Sequence, residues 1–351
     1  MRSRRGAVMP CAAGPGLSAA ILGCEDIAIS HYEKEFFRDA NPLGFILFAR
    51  NVDSPDQLRR LTGELRASVG RDAPILIDQE GGRVQRLRAP HWREWLAPLD
   101  QVARTASPGA MERAVWLRYR LIAAELRAVG IDANCAPCAD IAGPHTHPFL
   151  RNRCFGSDPQ TVIRAARAAA EGLRAGGVLA AVKHLPGHGR ATLDSHKQLP
   201  RVTAGMDELT RTDFAPFAAL ADLPMALTAH IIFEAIDPDR PATASARVIA
   251  HIRERIGFEG LLISDDLSMQ ALSGGIGARA GAAIAAGCDI ALHCNANRAE
   301  MVETVSAAGP LGEAAAGRVA RALQGRQEPQ AIDTGLLEAE FEALVKEPER
   351  G

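Results

Sequence analysis

The chain has 351 residues, 47% of them hydrophobic and 23% charged, which is globular composition and excludes a disordered or collagen-like chain. A formal net charge of −2 supplies no basic field for nucleic acid or an anionic membrane. Aromatic residues at 5% argue against a long cleft paved with stacking rings. The length exceeds the usual domain of about 100–200 residues and can bury a sizeable core without staples.

Seven cysteines, at 11, 24, 135, 138, 154, 288 and 294, are an odd number spread thinly. They do not make a disulfide framework and fit a reducing compartment. Cys135-Ala-Pro-Cys138 has redox or half-zinc spacing without a second CxxC, and reads as two packed thiols near a strand. Residues 1–17 are expected to be a disordered extension. Their arginines mimic a signal peptide, but Pro10, Gly14, Pro15 and Gly16 interrupt any apolar stretch. No run approaches the ~20 apolar residues of a membrane span, so the expectation is a cytoplasmic protein that touches no membrane.

Short apolar runs alternate with helical patterns along the chain. The expected strands are Ala19–Gly23, Gly44–Ala49, Pro74–Asp78, Ile131–Ala136, Leu179–His184, Pro224–His230, Leu261–Asp265 and Asp289–His293. They lack polar alternation, as strands covered on both faces do. A short piece, Tyr32–Asp39, links the first two. The helical segments are Ser54–Val69, Glu112–Val129, Thr161–Ala175, Asp207–Ala221, Ala246–Ile256, Ala278–Ala286 and Ala299–Ala308. Ser54-Pro55 is a cap followed by proline at the first helical position, and Gly130, Gly176, Gly287 and Gly309 supply stops. This tally predicts a single-domain (β/α)₈ TIM barrel over 18–326. A further helix, Gly312–Gly325, closes it, and in the tail 327–351 Leu337, Phe341 and Leu344 could pack outside. A doubly wound sheet would need a nucleotide site, and neither GxGxxG after the first strand nor a Walker loop is present.

Polar residues gather at the strand ends, where barrels carry catalysis. The third strand runs into Asp78-Gln79-Glu80-Gly81-Gly82-Arg83-Val84-Gln85-Arg86, either a capped turn or a site where Asp78 and Arg86 hold a polyhydroxylated or anionic ligand. Arg151-Asn152-Arg153, after the fourth, reads equally well as a solvated loop. The fifth ends in Lys183-His184-Leu185-Pro186-Gly187-His188-Gly189, followed by Asp194-Ser195-His196. Burying Lys183 and His184 costs several kcal/mol unless they are paired or bind a ligand. Asp194 can orient His196 and favour its charged form. The sixth ends at His230. The seventh ends in Ser264-Asp265-Asp266-Leu267-Ser268-Met269, where metal ligation, nucleophilic catalysis and capping all remain open.

Together these motifs resemble bacterial β-N-acetylhexosaminidases of glycoside hydrolase family 3, over roughly residues 18–325. Asn41-Pro42-Leu43-Gly44-Phe45-Ile46-Leu47-Phe48 fits as well. The resemblance implies a retaining enzyme that removes terminal non-reducing β-linked GlcNAc from GlcNAc-1,6-anhydro-MurNAc, with or without peptide, in peptidoglycan recycling. It implies Asp265 as nucleophile, His196 as acid/base with Asp194 its partner, and Asp78, Arg86, Arg153, Lys183 and His184 as sugar contacts. His230, a polar tip on an apolar strand, is expected to join them. The expected partner is a small sugar, the expected state a monomer, and neither cofactor nor metal is implied. The family more often has phenylalanine at Leu185 and Gly-Asp-Thr where this chain reads Gly189-Arg190-Ala191-Thr192.

A histidine acid/base departs from the usual pair of carboxylic acids about 5–5.5 Å apart. An imidazole titrating near ~6.5 nevertheless suits both half-reactions. The adjacent Asp265-Asp266 pair raises a substrate-assisted alternative, and a neutral histidine would admit phosphate as final acceptor. A metal-dependent amidohydrolase would need His-x-His after the first strand, where Cys24-Glu25-Asp26 stands. A non-enzymatic sugar-binding protein is the remaining alternative.

Overall fold

The computed structural model describes residues 16–193 and 198–345. Its core is a ring of parallel strands: β1 (Ser18–Gly23), β2 (Pro42–Leu47), β3 (Ile75–Ile77), β4 (Ala133–Asn134), β5 (Leu179–Leu185), β6 (Met225–Thr228), β7 (Leu261–Ile263) and β8 (Ala291–His293). From β1 to β7 each strand pairs with the next, and β8 pairs with β1. A parallel bridge from Ile263 to Ile290 joins the last two. Every residue of these strands is buried, including those facing the barrel axis, which accounts for the missing polar alternation. The fold is the expected (β/α)₈ barrel.

Helices run back outside the ring. Ser54 caps Pro55–Val69 as its sequence signals. The same Ser-Pro signal starts the next long helix at Pro108, where Ser107 accepts from the Ala110 N–H, four residues before the expected start at Glu112. The expected helix Asp207–Ala221 is two pieces, Met206–Arg211 and Ala215–Ala219. Pro216 has no N–H for the Thr212 carbonyl and its ring would clash there, so the chain breaks between them. Ala246–His251 is α-helical, and the rest of that segment, Ile252–Ile256, winds as a π-turn.

The tail forms a helix, Thr334–Leu344, against Pro108–Ala128. Phe341 is buried edge-on to Trp95, ring centroids 5.4 Å apart. The expected N-terminal extension lies outside the described residues except at its end. Among the described residues, no helix is long and apolar enough to cross a membrane.

Candidate active site

Six of the sequence-predicted residues line one cavity of about 370 Å³ at the C-terminal mouth of the barrel: Asp78, Arg86, Arg153, Lys183, His184 and Asp265. Asp78 follows β3, and the turn after it depends on glycine. Gly81 and Gly82 have φ of +103° and +58°, and a Cβ on Gly81 would fall on the Arg118 guanidinium. That turn brings Arg86 back, so its NH2 donates to Asp78 Oδ2 at 3.0 Å. The other oxygen of Asp78 accepts from Lys183 Nζ at 2.7 Å.

Lys183 also reaches Glu80 Oε1 at 2.6 Å. Glu80, fully buried, accepts two hydrogen bonds from Arg153, at 2.9 and 2.7 Å. Burial alone would push both carboxylates up. The charges of Lys183 and Arg86 at Asp78 outweigh it and hold that group well below the carboxylate range. Arg153 and Lys183 do the same at Glu80, which falls to about 2. Burial would in turn strip the proton from Lys183, but Asp78 and Glu80 keep it on. These groups are therefore charged and mutually paired, which is what makes a buried lysine affordable at a strand end.

Across the cavity, His184 Nδ1 lies 2.7 Å from Asp140 Oδ2, and its Nε2 lies 3.4 Å from Arg153 NH2. Asp140 Oδ1 accepts the backbone N–H of His188 at 2.6 Å. Burial raises the Asp140 carboxyl, the facing His184 ring and its hydrogen bond lower it more, and it settles at about 2. The His188 ring is buried beside His184, which drives it down to about 3 and keeps it neutral.

Asp265 follows β7 and is half-buried on the cavity wall. Burial raises it, but His184, His230 and a hydrogen bond from the Asp266 N–H bring the net direction below the usual range. It is an ionised carboxylate facing open space. Asp266 is tied into the loop: Oδ1 accepts from the N–H groups of Ser268 and Cys294 at 3.0 and 3.1 Å, and Oδ2 from the Ser268 hydroxyl at 2.6 Å. Both adjacent carboxylates line the cavity, but Asp266 has both oxygens tied into its loop.

His230 is placed differently from the other expected sugar contacts. It lies behind the wall, Nε2 donating to the Asp266 carbonyl at 3.0 Å and Nδ1 against the Thr243 hydroxyl at 2.8 Å. It braces the loop that carries Asp265. Asp194 and His196 lie outside the described residues. Arg190, one of the departures from the family pattern, pairs through Nε with Asp213 at 2.6 Å and through NH2 with Glu208 at 2.7 Å.

Three groups escaped the sequence reading as site residues: Glu80, Asp140 and His188. Glu80 and His188 stood inside quoted motifs without a role. Asp140 carried a faint signal, a carboxylate closing the short apolar stretch from Cys135 to Ala139. Cys135 and Cys138 are buried free thiols; burial raises Cys135, and the hydrogen bond with Cys154, with burial after it, raises Cys138.

A family model described as "Glycosyl hydrolase family 3 N terminal domain" matches residues 17–324. A protein named Beta-hexosaminidase from Methylococcus capsulatus is 42% identical over 275 residues, 76% of this chain and 80% of that one. The Beta-hexosaminidase of Pseudomonas aeruginosa is 39% identical over 267 residues, 75% of this chain and 78% of that one. Among solved structures, native NagZ from Neisseria gonorrhoeae superposes with a TM-score of 0.83 at 31% identity, covering 95% of this chain and 99% of its own. With the ionised Asp265 on the wall of a cavity ringed by paired charges, these matches place the chain: it belongs to glycoside hydrolase family 3 and is a glycoside hydrolase of the β-N-acetylhexosaminidase class.

Proposed function

We propose that this enzyme removes terminal non-reducing β-linked GlcNAc from GlcNAc-1,6-anhydro-MurNAc, with or without peptide, with retention of configuration. Such a substrate arises in peptidoglycan turnover, and the reading makes this chain a recycling enzyme. The observation that carries it is the ionised, half-buried Asp265 sharing one cavity of about 370 Å³ with Asp78, Arg86, Arg153, Lys183 and His184. That volume suits one sugar ring, and charged donors and acceptors suit its hydroxyls. The NagZ of Neisseria gonorrhoeae has been solved in complex with N-trifluoroacetyl-D-glucosamine, which supports the 2-acylamino sugar as occupant.

In this reading Asp265 attacks the anomeric carbon while the leaving oxygen takes a proton from His196, which Asp194 orients. A glycosyl ester forms on Asp265 and the aglycone departs. Neutral His196 then removes a proton from water, which attacks the same carbon and frees Asp265. Asp78, Arg86, Lys183, Arg153 and His184 hold the sugar, and His230 acts from behind. Because Asp266 has both oxygens engaged by Ser268 and Cys294, it is poorly placed to orient an attacking acetamido group.

The test is hydrolysis of p-nitrophenyl β-N-acetylglucosaminide and the matching β-glucoside by wild type and Asp265→Ala. Activity confined to the GlcNAc compound and lost in the variant supports the reading. Inactivity in water that phosphate rescues turns it into a phosphorylase.

A further inference from the structure

We propose that Cys138, Asp140 and His184 form a buried trap for one soft divalent cation of the zinc–cadmium class, with Cys154 as a second sulfur, and that filling it stops hydrolysis. The Cys138 sulfur, an Asp140 oxygen and a His184 ring nitrogen lie within 4.8 Å of one another, all three residues buried. They converge on one atom. Asp140 Oδ2 accepts from the Cys138 thiol at 3.3 Å and faces His184 Nδ1 at 2.7 Å. The Cys138 thiol also hydrogen-bonds that of Cys154, which packs with it among Ala142, Phe149 and Leu150. Cys154 stands outside the group of three and its thiol donates to the Leu150 carbonyl at 3.5 Å, so it must turn inward to become the fourth ligand.

Two sulfurs, one imidazole nitrogen and one carboxylate oxygen are a donor set that zinc and its heavier relatives accept in tetrahedral geometry. Supporting contacts already aim the donors. The His188 N–H holds the far oxygen of Asp140 at 2.6 Å, and a backbone bridge ties Cys138 to Lys183. The Asp140–His184 contact also serves the sugar site, but the two thiols do not: neither Cys138 nor Cys154 lines that cavity.

The exchange balances. Two S–H bonds break, two metal–sulfur bonds form, and both protons leave to solvent. The Nδ1 proton of His184 is carried to Nε2, freeing Nδ1 to coordinate, and no electron is transferred. A dication with two thiolates keeps the net charge of the cluster unchanged, so occupancy adds no buried charge beside Arg153. It does turn His184 Nε2 into a donor, facing the Arg153 NH2 only 3.4 Å away. The arrangement that presents His184 to the cavity is then lost. This inhibitory half rests on the proposed sugar-holding role of His184.

The experiment titrates cobalt(II), and separately cadmium, into the reduced full chain while recording thiolate-to-metal charge-transfer absorption and aryl β-N-acetylglucosaminide hydrolysis. One equivalent should bring up the thiolate bands and abolish hydrolysis along the same curve. Cys138→Val should lose the bands, keep the metal-free rate and weaken inhibition by about 10–100-fold, the range seen when even a supporting partner of a ligand is removed. Cys154→Ala should weaken the bands without erasing them. Inhibition without thiolate bands, or bands that persist in Cys138→Val, would overturn the proposal. An enzyme inactive before metal is added would count against the sugar reading alone, since the bands report the site independently.

Discussion

Glu80 gives both carboxylate oxygens to Arg153, at 2.9 and 2.7 Å, and one of them also to Lys183 at 2.6 Å. Glu80 is closed to water, and Arg153 shows only 6% of its surface, at the cavity wall. Glu80 therefore fixes the two cations, Arg153 and Lys183, that line the cavity.

Glu80→Gln removes the negative charge from under two buried cations. Breaking a buried pair by removing one partner costs about 3–5 kcal/mol. Denaturant unfolding should show a loss of that order, together with a fall in kcat/KM. Asp78→Asn, nearer the open cavity, should lose less stability for a comparable loss of kcat/KM. Equal stability of Glu80→Gln and wild type would contradict the underpinning role.

Asp265→Ala and Asp266→Asn should behave unlike each other despite adjacency. Loss of Asp265, the proposed nucleophile, should cost about 10³–10⁶-fold in kcat. Asp266→Asn keeps one acceptor for its N–H donors, so its effect should fall mainly on stability, within about 1–3 kcal/mol for weakened buried hydrogen bonds. Matching losses of kcat in the two variants would revive the substrate-assisted route.

Stability should fall on acidification in two stages. Neutral His188 is buried with its value depressed to about 3, so its contribution is complete above the unfolded value near ~6.5 and drains away as pH falls toward 3. Glu80 and Asp140, each held at about 2, contribute fully above the unfolded values of about 4 and lose that contribution as pH falls through 2. Urea midpoints measured from pH 8 to 3 should start declining below about pH 6.5 and steepen below about pH 4. His188→Gln should flatten the first stage and leave the second.

His196→Ala should lower turnover of the disaccharide substrate by about 10²–10⁴-fold. The loss should shrink on an aryl glycoside whose leaving group needs no proton. Equal losses on both would remove His196 from the acid role.

The barrel was legible because its strands are continuous apolar runs and its helices carry Ser-Pro caps and glycine stops. Where prediction slipped, a local event was responsible: Pro216 cutting one helix, a π-turn ending another, and Ser107-Pro108 passing unread as a start. Asp78, Arg86, Lys183, His184 and Asp265 were legible because a charge closing an apolar strand needs a reason. Arg153 stood in a loop that by itself read as solvated, and only its motif context raised it. Glu80, Asp140 and His188 were harder, since their partners come from other strands and sequence spacing carries no trace of them. His230 shows the limit of reading strand tips. A polar strand tip can face the loop behind the site as readily as the site itself.

The central claim is the covalent role of Asp265, and the most direct measurement is trapping with a fluorinated, activated GlcNAc analogue followed by peptide mass spectrometry. The account predicts one sugar per chain, ester-linked to the peptide containing Asp265 and absent from Asp265→Ala. A turning-over enzyme that yields no labelled peptide, or a label on any other residue, would contradict it.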